Sequence, residues 1–332
     1  MTKKTVSQPK KLGVEIELLA PKGLTRYDLA LAVAKRIKGS VHRFFHIDSE
    51  PSKVPNTPLF YHLTPAFEVR DKSGKWLVRC VDDITLRHDF NRKIPALKNW
   101  YRIVSDDARL IRLIKKHSDA NLPIAESLLV IGQLFGTKPV KNKGNVYRLA
   151  TEANEPIALA APMPGERERA CEIITAPLSY HHCLETLTMI LEEVNRLGFL
   201  IPKEGASHVH FDGQAFTSAN ILATLMNRLH QQRLSLRKQL ETNPHSTRIG
   251  AWSKEIMQVI NQSDFADLSW SDACQRLAKQ SISKYCDFNI RNLIYPQKDK
   301  HTFEVRILPV CLDIERLQKK IALLYRVIYL GH

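Results

Sequence analysis

Three pairs of ionisable residues, each spaced two apart on an apolar stretch, have the types and spacing to do chemistry. They are Glu15 and Glu17 in "GVEIELLA", His208 and His210 in "ASHVHFDG", and Glu304 and Arg306 in "TFEVRILP". In the first, Val14, Ile16 and Leu18 fall on one side and both acids on the other, the period-two pattern of a strand. Carboxylates so placed have Cα atoms ~6.5–7 Å apart. They repel unless positive charge sits over them; a hard divalent cation such as magnesium meets that need, and so does a Lys or Arg on the next strand. His208 and His210 share a face, opposite Val209 and Phe211. Imidazoles in register ligate a metal or touch a phosphate, or else bond to backbone as structural histidines. Glu304 beside Arg306 is either an ion pair of the sheet or, next to a metal and a nucleotide, a cation ligand and a phosphoryl contact. Glu172 in "CEIITAP" stands alone near the start of a strand that Pro177 ends, which fits an edge-strand charge as well as a further ligand.

The elements that must position these groups follow from periodicity. "TRYDLALAVAKRIKG" (25–39) reads as an amphipathic helix closed by Gly39. "HRFFHID", "LFYHLTPAFEVRD" and "KWLVRCVDDITLR" read as strands, the last two joined by a hairpin turn at "DKSGK". Residues 103–136 read as two helices with a break near "SDANLP", and "GNVYRLA" and "ERACEIITAP" return to strand. Residues 179–198 form a helix ending at Gly198, and a long helix from Thr217 to Thr242 is capped by Thr217 or Ser218. Shorter helices follow at about 248–261 and 270–280. "YCDFNIRNLI" and "HTFEVRILP" then close as a hairpin before a final helix through "LDIERLQKKIALLYRVIYL". Strands with hairpin-length links, separated by long helices, predict an α+β fold with a mostly antiparallel sheet.

The 332 residues are 44% hydrophobic and 25% charged, enough to bury a sizeable core as one large domain or two small ones. No boundary is evident, so a basic disordered tail at 1–10 and a single catalytic domain at 11–330 are expected. No apolar run reaches the ~18–20 residues that span a bilayer, and the polar start "MTKKTVSQPKK" has no apolar signal core after it, which predicts a cytoplasmic protein without a membrane partner. The six cysteines are scattered without a CxxC pair, as reduced core thiols are. A net charge of +15 calls for an anionic partner, nucleic acid first, yet the basic residues are spread along the chain and suit ATP or an acidic substrate equally well. No GxGxxG, GxxxxGK[ST] or GxSxG is present, which leaves no support for a Rossmann site, a P-loop or a nucleophile elbow.

The order ExE, E-x-x-[ST]-x-P, H-x-H, E-x-R resembles the amidoligases, members of the carboxylate-amine ligase superfamily that includes glutamine synthetase and glutamate-cysteine ligase. The resemblance runs from about Lys11 to Pro309. It implies a curved sheet of glutamine synthetase-like type with helices packed outside. It also implies that Glu15, Glu17, Glu172, Glu304 and one of His208 and His210 surround magnesium ions bridging the phosphates of ATP, with Arg306 facing the transferred phosphoryl group. Asn289 in "DFNIRNL" and His210 match nucleotide-side positions. Asp83 in "VDDITL", in preference to Asp82, matches an acid on the substrate side. The sequence departs from the family pattern by an insertion at about 87–168, helical and basic, expected over the substrate end, and by Ala176 where a second proline is usual. The implied function is an ADP-forming ligase joining a carboxylate to an amine on an amino acid, peptide or protein through an acyl phosphate. A metal-dependent hydrolase built on the same acids and histidines, and a basic nucleic-acid-binding module with structural acids, are the alternatives.

Overall fold

The computed structural model describes residues 11–21, 23–48, 62–81, 102–105, 109–110, 113, 116, 123–142, 146–161, 170–296 and 300–330. In chain order the elements begin with β1 (Leu12–Leu19), α1 (Arg26–Ile37), β2 (Ser40–Asp48), β3 (His62–Arg70), β4 (Trp76–Val81) and β5 (Arg102–Val104). There follow α2 (Leu129–Leu134), β6 (Val140–Asn142), β7 (Val146–Ala150), β8 (Pro156–Ala161), β9 (Ala170–Thr175), α3 (Tyr180–Leu197) and β10 (Ala206–Asp212). The remainder comprises α4 (Ala219–Gln239), α5 (Lys254–Ile260), α6 (Trp270–Ala278), β11 (Phe288–Asn289), α7 (Arg291–Ile294), β12 (Thr302–Pro309) and α8 (Ile314–Tyr325). None of the described helices is long and apolar enough to cross a membrane.

The chain forms two compact units, one of residues 1–16, 175–191 and 203–332, the other of residues 17–174 and 192–202. In the first, the strand order is β11-β12-β10-β1 and every neighbouring pair is antiparallel. The apolar alternation of these strands is spent on the core: Val14, Ile16, Val209, Phe211, Phe303, Val305 and Ile307 are all fully buried. Rings extend this layer, with Phe216 5.5 Å from Phe303 and Phe211 5.8 Å from Tyr329 between centroids. The long helix α4 starts at Ser218, whose hydroxyl accepts from Ile221 N and so satisfies one of the amides that a helix start leaves without a partner.

In the second unit β9, β4, β3 and β2 lie in that order, and β2, β3 and β4 form an antiparallel meander. Its β3–β4 turn is made by Asp71, whose Oδ1 accepts from Ser73 N at 2.8 Å, Ser73 Oγ at 2.6 Å and Lys75 N at 3.0 Å. Helix α1 opens on a capping box of Thr25 and Asp28. It is closed by Lys38 in the left-handed region (φ 54°), not by Gly39. Gly39 serves a close approach instead, because a Cβ there would fall 2.0 Å from Arg70 O.

The expected insertion is not simply helical. Its described residues include helical positions and α2, but also an antiparallel sheet in the order β5-β8-β7-β6 over a cluster of Leu128, Ile131, Leu149, Ile157, Ala158 and Ala160. Periodicity could not show this, since β5 and β6 are three residues each and "PIALAA" is an unbroken apolar run rich in a helix former. The mixed helix-and-strand composition and the mostly antiparallel, open sheets agree with the α+β expectation. The tail 1–10 and Asp83 lie outside the described residues.

Candidate active site

Strand register gathers the ionisable residues of the first unit. Glu15 pairs with His208 across β1 and β10, His210 with Glu304 across β10 and β12, and Asn289 with Glu304 across β11 and β12. Directly opposed residues of adjacent strands project to the same side of a sheet, so the acids, imidazoles and amide meet on the face that the apolar residues leave. The register between β10 and β12 shifts between Ser207 and Val209, a bulge of the kind that re-aims a side chain, and His208 sits in it.

The resulting contacts are short. His208 Nδ1 is 3.0 Å from Glu15 Oε2 and 3.6 Å from Glu304 Oε1. His210 Nε2 is 3.1 Å from Glu15 Oε1 and 3.9 Å from Glu304 Oε1, while its Nδ1 lies 3.1 Å from Thr302 Oγ1. Glu304 accepts from Asn289 Nδ2 at Oε2 (2.6 Å) and pairs through Oε1 with Arg306. Asn289 Oδ1 accepts from Arg291 N at 2.8 Å, which fixes the amide's orientation. Lys300 Nζ stands 3.7 Å from Glu15 Oε1. One ligand atom from each of Glu15, His208 and Glu304 can be chosen so that all lie within 4.8 Å of one another. In the second unit, Glu17 on β1 and Glu172 on β9 likewise offer oxygens within 4.8 Å, with Glu17 buried and Glu172 half-buried.

His208, His210, Asn289 and Glu304 are all buried, so charge here is settled by neighbours rather than by water. Burial favours a protonated Glu304, but Arg306 and then His210 outweigh it and hold the carboxyl down to about 2. Burial opposes ionisation of Glu15 as well, and His210, Lys300 and His208 together keep it well below the ordinary carboxylate range. His208 moves the other way from a free histidine: burial, and then the Arg306 cation, push it down against the pull of both carboxylates. At neutral pH the pocket therefore holds two carboxylates beside a neutral imidazole. An ionised carboxylate only accepts, so His208 carries its proton on Nδ1 and its lone pair on Nε2. Two carboxylates with an imidazole can hold a divalent cation, and a guanidinium alongside can hold a phosphoryl oxygen.

The sequence reading named Glu15, His208, His210, Asn289, Glu304 and Arg306, and these converge; Glu17 and Glu172 converge with each other. It missed Lys300 and Thr302. The signal was present, because Lys300, Thr302, Glu304 and Arg306 continue one period-two series. It also missed Asp287, which is almost fully buried and gripped by Arg233 Nε at 2.6 Å and Arg237 Nη1 at 2.7 Å from α4. The Asp287 carbonyl accepts from Arg306 N at 2.9 Å, so this ion triad anchors the strand residues just before Asn289.

Comparison with curated proteins and with solved structures gave no match. Residues 8–328, nearly the whole length, match the family model described as "Putative amidoligase enzyme", and the chain belongs to that family.

Proposed function

We propose that the protein is an ATP- and magnesium-dependent carboxylate-amine ligase. It transfers the γ-phosphoryl of ATP to a substrate carboxylate, giving ADP and an acyl phosphate, and an amine then displaces the phosphate to form an amide. Family membership supports the ligase class, and the observation that carries the rest is the buried cross-strand cluster of Glu15, His208, His210, Glu304 and Arg306. On this reading the sheet is of glutamine synthetase-like type with helices packed outside.

The residues fit a divalent cation on an observation independent of the family. Ligand atoms of Glu15, Glu304 and His208 lie within 4.8 Å of one another, two carboxylate oxygens and an imidazole nitrogen, a donor set that a divalent cation takes. Glu15, Glu304 and His208 would hold one magnesium ion, and Glu17 and Glu172 would hold another. Bound magnesium would offset the negative charge that attacking and leaving oxygens share during phosphoryl transfer.

The chain's own groups have separable tasks. Arg306 presents a guanidinium to the transferred phosphoryl group, and Glu304 holds that guanidinium in place. Asn289 acts through Glu304, fixing one of its oxygens so that the other is aimed. His210 faces the phosphates, with Thr302 setting its ring orientation. For Asp83, which lies outside the described residues, the substrate-side role rests on the resemblance alone. No nucleophilic side chain is required, because positioning and electrostatics lower the barrier.

The test is a screen for ADP release from ATP and magnesium against pools of free amino acids and of peptides, run beside a chelated control. ADP release confined to particular pools, abolished by chelation and restored by magnesium, is the expected result. Substrate turnover that needs no ATP would replace the ligase with a metal-dependent hydrolase. Silence in every pool, with tight duplex binding, would replace it with the binding module.

A further inference from the structure

Lys300 stands at one end of the carboxylate cluster and Arg306 at the other. Lys300, Thr302, Glu304 and Arg306 alternate along the chain with His301, Phe303, Val305 and Ile307. Their contacts put the first four on one side: Lys300 Nζ is 3.7 Å from Glu15 Oε1, Thr302 Oγ1 is 3.1 Å from His210 Nδ1, and Arg306 pairs with Glu304. The two cations differ in setting. The Arg306 side chain is 13% exposed, whereas that of Lys300 is 48% exposed and reaches from the rim to the largely buried Glu15.

The main chain beneath Lys300 is held. Gly213 N donates to His301 O at 2.9 Å, and a Cβ on Gly213 would fall 2.7 Å from that oxygen, so glycine is what lets the turn after β10 come this close. The ammonium is thus carried on a fixed base by a flexible four-carbon stem. Asp212, two residues beyond His210 on β10, is engaged elsewhere: its carboxylate caps the turn at 213–215 by accepting from Gln214 N at 3.0 Å.

The charges of the cluster therefore match. Glu15 and Glu304 are ionised at neutral pH, and Lys300 and Arg306 offset them one for one. A divalent cation approaching Glu15 meets an ammonium of like charge already beside the oxygen it needs. An anion that draws the ammonium away removes that opposition, and a triphosphate is such an anion.

We propose that Lys300 makes cation binding at Glu15 conditional on nucleotide: its ammonium leaves Glu15 for a phosphate oxygen of ATP, and Glu15 then takes magnesium. This rests on the ATP- and magnesium-dependent reaction proposed above and adds an order to it, metal bound with nucleotide in preference to metal bound alone. A residue that opposes one ligand and attracts the other couples the two, and the coupling is the same whichever is measured.

Binding is measured on the full-length protein with manganese(II), which takes the same oxygen ligands as magnesium and whose unbound ion is counted by electron paramagnetic resonance, and with a non-hydrolysable ATP analogue. Wild type binds manganese at least about tenfold more tightly with the analogue than without it. Lys300→Met keeps the stem and removes the charge. It binds manganese alone about fivefold more tightly, and the analogue with metal about fivefold more weakly, near the upper limit for a half-exposed ion pair. The shifts have opposite signs, which damage to the fold does not produce. An unchanged manganese affinity, or two shifts in the same direction, overturns the role of Lys300, and the ligase reading survives that result if wild type still binds the analogue. Failure of wild type and variant alike to bind the analogue removes the ligase, and the transfer of Lys300 to phosphate with it.

Discussion

Glu304 is the residue on which the others converge, because its two oxygens have different partners: Oε2 accepts from Asn289 and Oε1 meets Arg306. Glutamine offers one acceptor oxygen and one amino group, so Glu304→Gln must turn a donor toward either the Asn289 amide or the Arg306 guanidinium. The variant should lose ADP release entirely and cost about 1–3 kcal/mol in urea unfolding. An active Glu304→Gln enzyme would remove this residue from the site. Arg306→Lys keeps the charge but not the planar fork, and it should lower kcat while the circular dichroism spectrum is unchanged. Glu304 and Arg306 were legible in the sequence because they share one face of a strand whose other face, Phe303, Val305 and Ile307, is apolar. Lys300 and Thr302 continue the same spacing but precede the strand's apolar run, where a Lys or Thr is ordinary on any surface, so nothing set them apart.

At the scale of elements, β11 is only two residues long, so its position depends on what grips its flanks. Asp287 supplies that grip from the Arg233 and Arg237 side chains of α4. Asp287→Asn leaves two guanidinium groups facing a neutral amide; both are about a quarter exposed, so the loss should be about 2–3 kcal/mol, below that of a fully buried pair. Because Asn289 follows two residues later, kcat should fall with it, and a variant losing stability without losing kcat would show that the anchor is purely structural. In the meander, Glu68 on β3 lies between Arg79 and Arg70, with oxygen–nitrogen contacts of 2.7 and 2.6 Å. Burial raises its pKa, but Arg79 and then Arg70 outweigh burial and hold the carboxyl below its ordinary value of 4.5. A carboxylate depressed in the folded state stabilises fully above that ordinary value and loses its contribution as pH falls through the folded one. Urea midpoints of wild type and Glu68→Gln should therefore differ at pH 7 and converge below pH 4.5; a difference that is constant from pH 7 to the acid limit contradicts the pairing. Long elements were readable because their periods repeat several times. The small β5-β8-β7-β6 sheet was not, because a three-residue strand shows no period at all.

For the whole molecule, the division into two units was invisible in the sequence for a topological reason. The chain passes between units after Ile16, Ile174, Leu191 and Pro202; the first three lie inside regular elements, and only the last falls in a short loop with Gly and Pro, "GFLIPKEG". The net charge of +15 was legible, but not its disposition. Many of the cations are held internally: Arg36 and Arg196 by Glu192 or Glu193, Arg70 and Arg79 by Glu68, Arg233 and Arg237 by Asp287, Arg276 by Asp264, and Arg316 and Lys320 by Glu241. A guanidinium that must leave its carboxylate to meet a DNA phosphate adds little to duplex binding, since the move exchanges one ion pair for another. The charge is thus much less available to a duplex than its total suggests. A protein that neutralises several DNA phosphates shows a log-log salt slope of about −0.9 for each phosphate, so a dedicated duplex binder would lose affinity steeply between 50 and 200 mM salt. For this chain the slope should be no steeper than about −2, which corresponds to two phosphates at most. Fluorescence anisotropy on a labelled duplex across that salt range decides the matter. A slope several times steeper, unchanged in Glu304→Gln, would mean that the basic surface has a function of its own, apart from the carboxylate cluster.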